Sequence, residues 1–217
     1  MLAALQNRLS DLYQFETAYR IEDFLITDPE LARILGADCI LSDNAETVLL
    51  SEDSEGMSLS VFLDAELLER LRAHDPLASL QPEQLDDFWT VLEGVSHFNY
   101  LAFSAQRDKS VTLLELEMQA EVDKYVSAWL LALDQEDYAL AARLHGWLFD
   151  DVSFHPDLDR EQRERYRAAS NYAARFCHGI SRRLLEGNAG GLEELRHFYR
   201  LTQTHKIGHI HSQAWAA

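Results

Sequence analysis

The feature that most constrains the fold is a change of hydrophobic period. Most of the chain repeats its apolar residues every three or four positions, as a helix buried on one face does. The stretch ETVLLSEDSEGMSLSVFLD, residues 46–64, alternates instead. With DSEG, residues 53–56, as the turn, Val48 faces Val61 and Leu50 faces Leu59 on one side. Thr47 with Phe62 and Leu49 with Ser60 then share the other. One register satisfies both faces, so the pattern predicts a β-hairpin over about residues 46–63, closed by a four-residue loop. Residues 38–42 are expected to add a short third strand. A hairpin is barely stable alone, so it must pack on the helices beside it.

Helical signals surround it. Leu5, Leu9, Leu12, Phe15 and Tyr19 form one stripe of a first helix. Asp28, Pro29 and Gly36 cap, start and stop a short second one, and Asp64 caps DAELLERLRAH. The stretch DPLASLQP, residues 75–82, reads as a joint, because Pro76 stops one helix and Pro82 suits the first turn of the next. PEQLDDFWTVLEGVSHFNYLAFSA is apolar around most of its circumference and is expected to be the central, most buried helix. Thr112 and Glu115 have the spacing of a capping box at the start of the helix after it. Three more helices follow, over residues 134–149, 159–185 and 192–202. The fold class is therefore mostly α: a helical bundle of about five helices preceded by a small α/β portion with one hairpin. In domain terms, residues 1–75 are a small acidic α+β portion and residues 83–217 a helical bundle. One continuous fold is the alternative.

Charge divides the chain in the same way. The 217 residues carry a formal charge of −18. Residues 1–100 hold 20 acids against five Lys and Arg, whereas residues 151–217 hold eight against ten. Such a front repels nucleic acid and anionic membranes, whose phosphates need Lys and Arg. It suits a basic protein partner, and Glu52, Asp53 and Glu55 at the hairpin turn are the candidate acidic docking face. The longest apolar run, VSAWLLAL, falls far short of the ~20 residues of a membrane span. Cys39 and Cys177 make no disulfide framework and read as reduced thiols. With no basic leader at the start, the expected location is the cytoplasm.

Candidate chemistry lies in the helices. Glu93 and His97 are four apart, and Glu117 and Glu121 repeat that spacing on the next helix. Glu194 and His197 form a Glu-x-x-His unit. Carboxylate-bridged dimetal bundles combine two glutamates with two Glu-x-x-His units; this chain has one such unit, so these six are metal-ligand candidates without a complete set. His205, His209 and His211 crowd the sequence near its end, where Gly208 weakens a helix and the expectation is a solvated tail. Asn171, Arg175, His178 and Arg182 share one helical stripe, and arginine suits carboxylates and phosphates, which makes Arg175, His178 and Arg182 a candidate anion or partner-binding face.

Arg200 and His205 have an Arg-x4-His spacing. It resembles the active-site signature of HEPN-type ribonucleases, which are helical and place it late in the domain. The resemblance covers these two residues, and Leu201 departs from the polar residue usual after the arginine. It implies RNA cleavage with Arg200 and His205 as catalytic candidates. No Gly-x-Ser-x-Gly and no Gly-rich phosphate loop is present, and nothing in the chain asks for a cofactor. The expected function is a non-enzymatic protein-binding protein, an adaptor, dedicated chaperone or immunity-type partner, able to form a homo-oligomer. The alternative is a metal-dependent or RNA-cutting enzyme using His, Glu and Arg of the helical part.

Overall fold

A computed structural model describes residues 1–36, 45–53, 56–150, 158–185 and 189–213. The side chains of residues 51–53, 56, 57 and 189 are outside that description. The chain is mostly helical, with a small three-stranded sheet. Among the described residues no helix is long and apolar enough to cross a membrane.

Helix α1 spans Leu2–Tyr13 and buries Leu5, Leu9 and Tyr13. It is shorter than its stripe predicts, because Gln14 takes a left-handed conformation with φ 52°. Phe15 is still buried, but Tyr19 is half exposed. Strand β1, Leu25–Ile26, precedes α2, Pro29–Leu35, where Asp28 accepts from the amides of Glu30 and Leu31 at the predicted cap.

The hairpin has the predicted register. Strand β2, Glu46–Asp53, runs antiparallel to β3, Gly56–Leu63, with Val48 opposite Val61, Leu50 opposite Leu59, Thr47 opposite Phe62 and Leu49 opposite Ser60. Pairing extends to Asp53 and Gly56, so the strands continue into the expected four-residue loop. The third strand of the sheet is β1, parallel to β3, in the order β1-β3-β2. The stretch expected to supply it, residues 38–42, lies outside the described residues. Both faces of the hairpin are used. Val61 and Leu63 join the main core, while Leu49 and Phe62 pack with Ala32. Leu50, expected in apolar surroundings, shares the core side of the ladder with Val48 but is 45% exposed.

Helix α3, Ala65–Ala73, starts at Asp64, whose carboxylate accepts from the amide of Leu67. Six helices follow: α4 Leu85–Ala105, α5 Leu113–Asp134, α6 Tyr138–Phe149, α7 Arg160–Leu185, α8 Ala189–Arg200 and α9 Gln203–Ser212. Helix α4 is the central one, as its composition predicts. Phe88, Leu92, Val95, Phe98 and Phe103 are all buried. One apolar core runs from Leu5, Leu9, Val61 and Leu67 into α4 and on to Met118, Val122, Trp129, Phe176 and Ile210. Burial of large side chains at this density is the main stabilising contribution.

Helices α4 and α5 are antiparallel. Glu93 meets Lys124, His97 meets Glu117 and Tyr100 meets Glu115, so numbers rise on one helix as they fall on the other. Half of the predicted capping box forms: Thr112 accepts from the amide of Glu115. The Glu115 carboxylate turns away instead, and accepts from Tyr100, Lys109 and the amide of Gln203.

The C-terminal histidines do not lie in a tail. They sit on α9, which buries Lys206 and Ile210. The buried carboxylate of Asp123 explains why this helix is held. It accepts from Tyr13, from Ser96 at 2.5 Å and from Gln119 at 2.8 Å, and Gln119 in turn accepts from the ammonium of Lys206. This chain of polar contacts connects α1, α4, α5 and α9, and every member is satisfied through another, as buried polar groups require.

Candidate metal centre

A second polar cluster lies at the same level of the α4–α5 pair, on a different face of each helix, since Glu93 and His97 flank Ser96 and Glu121 and Lys124 flank Asp123. The spacing of four puts Glu93 and His97 on one face of α4, and Glu117, Glu121 and Lys124 follow each other along one face of α5. The hairpin supplies the remaining member. Glu46 pairs with Leu63 on the face that carries Val48 and Val61, so its side chain turns toward α4 with theirs. Gly94 allows the approach. A Cβ there would stand 3.2 Å from Glu46 Cγ, from Leu63 Cδ2 and from Val61 Cγ1.

His97 is the hub. Its side chain is 6% exposed, with Nδ1 at 3.3 Å from Glu46 Oε1. Nε2 lies 3.8 Å from Glu117 Oε2, beyond hydrogen-bond reach, and has no partner among the described residues. Lys124 Nζ donates to Glu93 Oε2 at 2.9 Å and pairs with Glu121 Oε1 at 2.5 Å. Glu46, Glu93 and His97 each offer one ligand atom, all within 4.8 Å of one another.

The electrostatics follow from burying so many carboxylates together. Burial raises Glu46, Glu117 and Glu121, and Glu117 reaches about 7 because Glu93 and Glu46 add to the effect. Burial also pulls His97 down, but the hydrogen bond and charge of Glu46, with Glu117 and Glu93, outweigh it and hold the imidazole up at about 9. Glu93 goes the other way. Its own burial is overcome by Lys124 and His97, so its carboxyl is held below the usual range. Carboxylates outnumber cations here, with Arg165 of α7 adding a third positive charge toward Glu117. Excess buried negative charge is costly and is relieved by protons or by a cation.

Four of the six sequence-derived metal candidates therefore converge: Glu93, His97, Glu117 and Glu121. Glu194 and His197 belong elsewhere. The Glu194 carboxylate meets Arg183, Gln213 and His209 Nε2, the last at 3.1 Å, and the His197 ring lies 5.7 Å from that of His209. They join α8 to α7 and α9. Sequence reasoning missed Glu46 and Lys124. Glu46 had a signal, since the alternation that assigns Val48 and Leu50 to the core side assigns it there too. Lys124 follows Glu117 by seven positions, two helical turns, on the same face.

The other candidates fall at separate places. Arg200 donates to the carbonyls of Arg196, Tyr13 and Gln14, where it closes the C-terminus of α1, and His205 Nδ1 lies 2.9 Å from Thr202 Oγ1. Arg175, His178 and Arg182 are exposed on α7, as is Asn171. A shallow groove of about 350 Å³ lined by Asn171, Tyr172, Arg175 and His211 runs beside them. Glu52 and Asp53 lie at the far end of β2, and Glu55 lies outside the described residues. Compared with known proteins, the chain matches no family model, no curated protein and no solved structure.

Proposed function

We propose that this chain is a divalent-metal-dependent protein, with Glu46, Glu93 and His97 as the ligands and the open coordination of a catalytic centre. One observation carries the reading: a buried histidine offers a ring nitrogen within 4.8 Å of carboxylate oxygens of Glu93, one turn earlier on α4, and of Glu46 on β2. Ligands ~2.1 Å from one ion in tetrahedral order stand about 3.4 Å apart, close to the 3.3 Å between His97 and Glu46. An ion at Nδ1 would displace the proton shared with Glu46, and the remaining N–H at Nε2 faces the Glu117 carboxylate 3.8 Å away. Three protein ligands leave a position for water or substrate, whereas a structural site would be closed by four. Glu93 and Glu121 are the most exposed members, at 23% and 19%, so access is from their side. The test is metal content by mass spectrometry in protein purified without an affinity metal, followed by Mn²⁺ titration. About one ion per chain that is lost in His97→Asn supports the reading; protein that takes up no ion at millimolar Mn²⁺ overturns it.

A second reading is docking of a basic protein partner through the acidic front, in an adaptor or chaperone role. It is supported by charge. The Lys and Arg of residues 1–100 number five, and two of these, Arg20 and Arg70, are paired with Glu22 and Asp87 of the same stretch. Most of its 20 acids are thus left to the surface field. An on-rate for a captured partner that does not change with salt would overturn it.

A further inference from the structure

We infer that the centre is mononuclear by construction, because the ammonium of Lys124 stands where a carboxylate-bridged pair would hold its second cation. The inference rests on the metal-binding reading above and names the residue that sets its stoichiometry. Glu93 is the shared member. Its carboxylate supplies one of three possible ligand atoms, with Glu46 and His97, that lie within 4.8 Å of one another, and it also accepts from Lys124 Nζ at 2.9 Å. The same ammonium is 2.5 Å from Glu121 Oε1. A cation between Glu46, Glu93 and His97 and a second between Glu93 and Glu121 would be bridged by Glu93, the relationship found in two-metal sites, where the ions are ~3.5–4 Å apart. The second place is filled by a side chain that is 10% exposed and paired with both carboxylates. The cluster does not rest on its acids alone: His97 brings Nδ1 to 3.3 Å from Glu46 Oε1, and its buried Nε2, 3.8 Å from Glu117 Oε2, has no hydrogen-bond partner among the described residues.

A fixed ammonium and a metal ion do different things. Each neutralises carboxylates, but the ammonium offers only donors and cannot accept a ligand. Lys124 therefore supplies positive charge beside the bound ion while denying a second water or substrate oxygen a metal to bind. Removing it leaves Glu93 and Glu121 facing each other without a cation, the charge pattern that recruits a second divalent ion. The shared face of α5 makes this a choice of one residue, since Glu117, Glu121 and Lys124 stand in line on it.

The experiment is Mn²⁺ binding by equilibrium dialysis with electron paramagnetic resonance of the bound ion, on the full chain. Wild type is expected to saturate at one Mn²⁺ with an uncoupled signal. Lys124→Met is expected to saturate at two, with an exchange-coupled signal, and Lys124→Met with Glu121→Gln is expected to return to one. Lys124→Ser gives the same reading if the methionine variant does not fold. Two coupled ions in wild type, or one ion in a folded Lys124 variant, overturns the inference and leaves the metal-binding reading standing. No bound Mn²⁺ in wild type overturns both.

Discussion

His97 Nδ1 and Glu46 Oε1 are 3.3 Å apart although 51 residues separate them in the chain. The contact joins a strand to the central helix, and each side chain is close to fully buried. Glu46→Gln keeps the shape of the side chain and removes its charge. The expected result is a loss of Mn²⁺ affinity of at least ~10-fold, the lower end of what even supporting groups around a metal contribute. Isothermal titration of wild type and variant measures it; an unchanged affinity would remove Glu46 from the ligand set.

Gly94 lets the hairpin lie against α4 at the point where Glu46 crosses it. Gly94→Ala gains ~1 kcal/mol of helix propensity, but its Cβ meets three side-chain carbons at 3.2 Å, so those side chains must give by a few tenths of an ångström. The two effects on stability oppose each other, and the net change by urea unfolding is expected within ~1 kcal/mol of zero. The Glu46 side chain is one of the three that must give, so Mn²⁺ affinity is expected to fall. Unchanged affinity would show that the ligand set tolerates the displacement.

Leu92 is fully buried in the centre of α4. Leu92→Ala is expected to cost ~2–5 kcal/mol, the transfer cost plus the cavity left in a packed core. Chemical denaturation measures it. A loss near zero would mean that the site collapses around the smaller side chain.

Lys206 links stability to pH. Its ammonium is buried with Gln119 as its hydrogen-bond partner, and burial pulls it down to about 7 against an ordinary value of 10.5. The folded-state value is the depressed one, so the contribution to stability is present above 10.5 and is lost as pH falls toward 7. Over that window the unfolded chain holds a proton that the folded chain has released, which gives a slope of ~1.4 kcal/mol per pH unit. Raising the pH from 7 to 10 is expected to stabilise wild type relative to Lys206→Met by a few kcal/mol, read from urea midpoints at each pH. Parallel curves for the two proteins would mean that the buried ammonium keeps its ordinary value.

Tyr13 donates to Asp123, and the same carboxylate accepts from Ser96 and Gln119. Tyr13→Phe removes one of three donors to a buried acid whose burial already raises it to about 6. The expected cost is ~1–3 kcal/mol. Since the ring stacks on Tyr199 with centroids 3.9 Å apart, packing is retained and the loss measures the hydroxyl. A neutral change would mean that Ser96 and Gln119 satisfy Asp123 without it.

Features that repeat along one element were legible in the residues alone. Alternation set the hairpin register residue by residue, because a slip by one would break the matched pairs Val48 with Val61 and Leu50 with Leu59 and send them to the other face. The apolar girth of residues 85–105 marked the central helix, Asp28 and Asp64 marked two helix starts, and spacings of four put Glu93 with His97 and Glu117 with Glu121. Tertiary structure decided which faces meet. Glu46 and Lys124 reach the centre because the hairpin lands on Gly94 and α5 runs antiparallel to α4, and no local period encodes either. The same holds for the chain end. Gly208 and three histidines argue for a solvated tail when only neighbours count, yet α9 is held by Ile210 in the core and by Lys206 on Gln119, two contacts whose partners lie far back in the chain.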